Sequence, residues 1–167
     1  WMIPIFGIII KILSNGPIFF IQKREGLKGS VFDCIKFRTM VLNSESDTKW
    51  ADDNDKRLTR FGRFLRISSL DEMPQFINVL LGDMSVVGPR PHALNLNNEY
   101  SSKISAFNKR HKFKPGITGL AQSKGFNGLI SDIYDMKNRV KLDIFYFKNW
   151  SIILDIKITF LTFIILL

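Results

Sequence analysis

At 167 residues the chain is long enough for one domain that builds a core from its own length. Its 24 Lys and Arg outweigh 15 Asp and Glu to give a net charge of +9, so an anionic partner is expected: nucleic acid, a phospholipid surface or a phosphorylated substrate. The single cysteine, Cys34, excludes an internal disulfide and a cysteine-based zinc site and suits a reducing compartment, while 15 Phe and two apolar ends tilt the choice toward a membrane surface.

The chain begins at Trp1 rather than Met, which leaves room for residues upstream. Its first apolar run is loosened by Pro4 and Gly7, carries Lys11, and stops at Ser14-Asn15-Gly16-Pro17. A spanning helix wants roughly 20 apolar residues, so residues 1–16 read as a helix that dips into one leaflet or lies at the interface. A buried soluble helix is the alternative, and no small-residue cleavage site marks a signal peptide. Residues 17–23 and 31–40, rich in Phe and Ile around the turn Gly26–Ser30, predict a β-hairpin. On its second strand Phe32, Cys34 and Ile35 are expected inward, with Lys36 and Arg38 sharing a face. Cys34, between apolar neighbours, reads as a core residue.

Residues 43–56 form the acidic stretch, read as a surface loop with Asp52, Asp53 and Asp55 solvated; EF-hand spacing is absent. Residues 57–67 read as a basic helix or turn with Phe61, Phe64, Leu65 and Ile67 on an apolar side. Residues 94–113 predict another helix. Lys114–Gln122 and Gly82–Pro91 read as Gly/Pro loops with exposed backbone amides, matching neither a P-loop nor a dinucleotide fingerprint. Residues 131–149 return to helix and set Arg139, Asp143 and Tyr146 along one face, where Arg139 with Asp143 at i, i+4 also reads as a mere surface pair. Asp155 and Lys157 interrupt the apolar run of 150–167, which reads as an interfacial helix.

The most informative stretch is Ser68–Gln75, with adjacent carboxylates Asp71 and Glu72. Ser69-x-x-Glu72 fits a capping box, and Pro74 places a helix start nearby. Equally, an aspartate is a nucleophile for phosphoryl transfer, and its neighbour, about 100° round a helix, can reach a metal. Arg66 and the Pro89-Arg90-Pro91 segment offer planar forks for phosphate oxygens. Spacing alone leaves both readings open.

The ordered blocks KFRTM (36–40), RLTRFGRFLRISSLDEMPQFINVLLGDMSVVGPRP (57–91), KPGITGLAQ (114–122) and the run from Arg139 to Ile158 resemble the bacterial sugar transferases, monotopic phosphoglycosyl transferases that initiate glycan assembly. The resemblance implies an α+β domain over 1–167, mainly helical with a small β-hairpin and a re-entrant or interfacial N-terminal helix. It implies transfer of a sugar-1-phosphate from a UDP-sugar to polyprenol (undecaprenyl) phosphate, with release of UMP, at the cytoplasmic face of the bacterial inner membrane. By the same resemblance Asp71 is the nucleophile and Glu72 the Mg2+ ligand. Lys36 and Arg38 belong to the active site, and Arg66, Pro89, Arg90, Pro91, Arg139 and Asp143 to substrate binding. Thr118 and Gln122 fall on a nucleotide-side loop. The family's Ser-Pro break in the membrane helix aligns at or before Trp1, whereas Pro4 is the proline present. Anionic lipids are expected partners, a homodimer is left open, and nucleic acid is not expected, because the basic residues are scattered among acids. A catalytically silent scaffold of the same fold is the other alternative.

Overall fold

The computed structural model describes residues 1–42, 55–128 and 130–166, the side chain of Leu166 excepted. It is α+β and mainly helical, with two small sheets rather than one hairpin. The chain forms two compact units, Trp1–Gln22 with Cys34–Ile77, and Lys23–Asp33 with Asn78–Leu167.

In the first unit, helix α1 (Met2–Leu13) buries Ile10 and packs Ile3 and Phe6 against Phe37 and Leu65. Pro4 falls in its first turn, where the missing N–H costs no helical bond. Ile5, Ile8 and Ile12, three and four residues apart, stay exposed on another face. The predicted stop holds, with Ser14 extended and Gly16 at φ +120°.

Strands β1 (Phe19–Glu25) and β2 (Val31–Phe37) make the predicted hairpin. Cys34 is a core residue, but Ile35 is only half-buried and Phe37 takes the inward place expected of it. The alternation breaks because Lys36 turns toward an acid while Phe37 stacks on Phe19, ring centroids 5.8 Å apart. Helix α2 (Arg60–Ile67) follows Thr59, whose Oγ1 accepts the Gly62 amide at 2.8 Å. Phe61 and Leu65, one turn apart, join the core; Phe64 and Ile67 point outward, which halves the expected apolar side.

In the second unit, β3 (Ser85–Val87) and β4 (Gly116–Thr118) pair in parallel, Ser85 opposite Gly116 and Val87 opposite Thr118. Both were expected as loops with exposed amides. Instead Ser85 N donates to the Pro115 carbonyl and Gly88 N to that of Thr118, each at 2.8 Å. The glycines are there for contact: a Cβ on Gly116 would lie 2.1 Å from Gly88 N. The predicted helix 94–113 splits into α4 (Leu94–Lys103) and a 3-10 turn, Phe107–Lys112. The break lets Ile104 and Phe107 both turn onto Met136 and Val140. Those two belong to α5 (Ile133–Lys148), which Asp132 caps by accepting the Asp135 amide at 2.8 Å.

Helix α6 (Ile152–Leu166) buries Ile158 against Val87, Leu120 and Tyr146. Asp155 anchors this helix rather than interrupting it, accepting from Tyr146 Oη at 2.8 Å and Trp150 Nε1 at 3.3 Å. Burial, then this bond to Asp155, holds the Tyr146 phenol above its ordinary pKa. Ile152, Ile153, Ile156, Phe160 and Phe163 remain exposed. No helix among the described residues is long and apolar enough to cross a membrane.

Candidate active site

Asp71 and Glu72 sit on a 3-10 turn, Leu70–Glu72, and α3 (Gln75–Leu81) begins only after Pro74. The capping box does not form. Ser69 is left-handed, at φ 54° and ψ 15°, and makes no side-chain cap bond. The carboxylates are placed instead by their neighbours: Leu70 and Met73 pack on the core of Ile10, Phe37 and Leu65. Asp71 and Glu72, held between these apolar anchors, are half-buried.

Lys36 Nζ donates to Glu72 Oε1 at 2.6 Å, with 15% and 14% of the two side chains exposed. Arg66 Nε donates to Thr39 Oγ1 at 3.0 Å, and the Thr39 carbonyl accepts the Thr59 amide at 3.0 Å. Gly62 admits that approach, since a Cβ there would stand 1.9 Å from the Thr39 oxygen. Arg38 departs from expectation. It does not share Lys36's acidic partner but is buried beneath the end of α1, donating to the Ser14 carbonyl at 2.8 Å and to that of Asn15 at 2.5 Å. Burial lowers its pKa from the ordinary value. Asp55 is not solvated either: both its oxygens accept from Arg57, at 2.7 to 3.1 Å. Asp52 and Asp53 lie outside the described residues. Among the described residues no group of three or more His, Cys, Asp or Glu is placed to hold a metal.

The remaining expected residues belong to the second unit. Arg139 and Asp143 are not a surface pair; both are buried. Asp143 meets Arg110 Nη2 at 2.9 Å, and Arg139 reaches back one turn to Asp135, at 3.0 and 3.1 Å. Burial pushes the Asp143 carboxyl above its usual range, while Arg110 and Arg139 pull it back. Thr118 shares a hydrogen bond with Thr162 at 2.6 Å, and Gln122 Nε2 donates to the Ile117 carbonyl at 3.0 Å, so both hold β4 in place. Pro89 and Pro91 are buried, and Arg90 between them is partly exposed. A recess is lined by Glu25, Arg90, Arg110, His111, Phe113 and Pro115, among others.

Sequence reasoning missed Arg24, His92 and Arg110. His92 is buried, stacked on Phe107 at 6.5 Å, and its Nε2 has no partner among the described residues. Burial, then the charges of Arg110, Arg24, Arg90 and Arg139, hold its pKa well below the ordinary value. Only the oddity of a histidine directly after Pro89-Arg90-Pro91 marked it in the sequence.

The profile of the bacterial sugar transferase family matches residues 1–167. The UDP-glucose:undecaprenyl-phosphate glucose-1-phosphate transferase of Klebsiella pneumoniae is 49% identical over 154 residues, 92% of this chain and 33% of that protein. The Escherichia coli (strain K12) enzyme of the same name is 47% identical over 157 residues, 93% of this chain and 34% of its own length. The UDP-N-acetylgalactosamine-undecaprenyl-phosphate N-acetylgalactosaminephosphotransferase of Aeromonas hydrophila is 39% identical over 168 residues, 96% of this chain and 39% of that protein. The chain thus spans about a third of the length of these relatives. With the ordered sequence blocks and a profile match from end to end, this chain belongs to the bacterial sugar transferase family.

Proposed function

We propose that the chain carries out sugar-1-phosphate transfer from a UDP-sugar to undecaprenyl phosphate, a first membrane step of glycan assembly. The observation that carries this reading is the Leu70–Glu72 turn: adjacent carboxylates pinned between two core contacts, one of them facing a lysine. The named relatives share the undecaprenyl acceptor and differ in the sugar, glucose or N-acetylgalactosamine. The donor is therefore put at the level of a UDP-hexose or UDP-N-acetylhexosamine.

In this reading an oxygen of Asp71 attacks the sugar-bearing phosphorus, the bond from that phosphorus to the bridging oxygen breaks, and UMP leaves with the electron pair. A phosphate oxygen of undecaprenyl phosphate then attacks the same phosphorus, and the bond to Asp71 breaks to restore the carboxylate. Lys36, Arg66 and Arg90 are assigned to phosphate oxygens, Arg66 and Arg90 through their planar forks. Such a transfer depends on positioning and charge neutralisation more than on covalent chemistry from the protein.

Glu72 would hold Mg2+. A single hard carboxylate fits, because Mg2+ is commonly bound through one or two carboxylates with substrate phosphates and water completing the shell. When bound, the ion offsets the diphosphate charge. The exposed apolar faces of α1 and α6 are assigned to the membrane interface on the cytoplasmic side, with anionic lipid attracted by the basic balance.

The test is UMP release from a UDP-sugar panel with undecaprenyl phosphate and Mg2+. The wild-type chain is expected to release UMP and to take label from sugar-labelled donor, and Asp71→Asn to do neither. Wild-type turnover by Asp71→Asn removes the nucleophile assignment, and silence of the wild type across the panel removes the enzyme reading in favour of a scaffold.

A further inference from the structure

Three successive carbonyls of the Pro89-Arg90-Pro91 segment are each held by a different donor. The Gly116 amide donates to the Pro89 carbonyl at 3.0 Å, Arg110 Nη2 to that of Arg90 at 2.8 Å, and Arg24 Nη1 to that of Pro91 at 2.5 Å. Two of the three residues are prolines, with fixed φ and no N–H, so carbonyls are the segment's main backbone handles. The donors are fixed in turn. Arg110 and its partner Asp143 each expose only 3% of the side chain, and the guanidinium lies 5.2 Å from the centroid of the Phe107 ring. Arg24 is set by an antiparallel bridge from its backbone to Ala93. Of the three clamped residues only Arg90 reaches the surface; the prolines are buried.

We propose that Arg24 and Arg110 are positioning residues that clamp this segment and so aim the Arg90 side chain at a substrate phosphate. Asp143 belongs to the same device as the anchor of Arg110, and its burial keeps it from substrate. The inference rests on the proposed function, because it gives the clamp a purpose through Arg90. It also makes a claim independent of turnover: the segment is rigid because two guanidiniums hold it.

The experiment compares Arg110→Lys and Arg24→Lys in the wild-type and Arg90→Ala backgrounds of the full chain. Lysine keeps the positive charge but loses the planar fork that serves two acceptors. UMP release and hydrogen exchange at the Arg90 and His92 amides are read together, with thermal melts to confirm folding. Each lysine variant is expected to lower kcat/KM about 10-fold or more in the wild-type background and less than about 2-fold when Arg90 is already alanine. Both amides are expected to exchange faster. Equal losses in the two backgrounds, or unchanged exchange, overturn the proposal. Should Arg110→Lys fail to fold, Arg24→Lys carries the comparison. A wild-type chain that releases no UMP refutes the function instead, and the exchange rates then decide whether the clamp exists.

Discussion

Lys36 Nζ lies 2.6 Å from Glu72 Oε1 and ties the end of β2 to the turn that carries Asp71. The lysine therefore occupies the carboxylate that the proposed cation needs. Lys36 is also assigned to a phosphate oxygen in the proposed reaction, where a charge-assisted bond contributes about 1.5 to 3 kcal/mol, so Lys36→Met is expected to lower UMP release about 10- to 100-fold. Mg2+ should raise the melting temperature of Lys36→Met more than that of the wild type, the competitor having gone. Glu72→Gln should abolish that Mg2+ response. Scanning calorimetry across a Mg2+ titration checks both, and an identical response in all three proteins would remove Glu72 as the ligand.

Gly62→Ala is expected to destabilise the chain even though alanine favours a helix by about 1 kcal/mol. Its Cβ would stand 1.9 Å from the backbone oxygen of Thr39, which cannot swing aside as a side chain can. Overpacking of this sort costs about 1 to 3 kcal/mol, or several degrees of melting temperature. Thermal melts decide it: a rise in melting temperature would show that propensity outweighs the clash.

Stability should fall as pH drops below about 6.5, the ordinary histidine value. Folded His92 resists protonation, its pKa held well below that value by burial and by four arginines. The unfolded chain accepts the proton, so between the two pKa values the unfolded state binds more protons and gains on acidification, by up to about 1.4 kcal/mol per pH unit. His111 is lowered too, through burial first, with Arg110 adding and Glu25 opposing, and it contributes in the same direction. Urea titrations at pH 7.5 and 5.5 should show a clear loss in the wild type and a smaller one in His92→Gln. Equal losses would mean that native His92 titrates normally.

Ile156 and Phe160 are each 65% exposed, so replacing both with lysine leaves the core alone. Burying each in an interface contributes roughly 1.5 to 3 kcal/mol. Co-sedimentation of the double variant with phosphatidylglycerol vesicles is therefore expected to drop at least about 10-fold. Unchanged sedimentation would remove α6 from the proposed membrane face.

How much of this was legible in the sequence depended on how far apart the partners lie. The stop at Ser14–Pro17, the hairpin turn, the core place of Cys34 and the extent of α5 rest on local signals, and the structure agrees. The long blocks around Asp71 and Glu72 carried the family. What failed was pairing across distance. Asp143 looked like a partner for Arg139 at helical spacing, yet Arg110, in a segment expected to be helical, meets it at 2.9 Å. Glycines 88 and 116 read as loop markers because glycine at a sheet contact looks the same as glycine in a turn. Ser69-x-x-Glu72 matched a capping pattern whose φ the serine does not adopt. Arg38 looked like Lys36's neighbour on one face, but the carbonyls at the end of α1 drew it elsewhere.

That serine also suggests where speed and sturdiness part company. A non-glycine residue at φ 54° costs on the order of 1 kcal/mol, and Ser69→Gly would remove the cost while giving the unfolded chain a similar gain in freedom. The melting curve should hardly register the exchange. Turnover should register it, because the backbone just ahead of Asp71 would have many more ways to be slightly wrong.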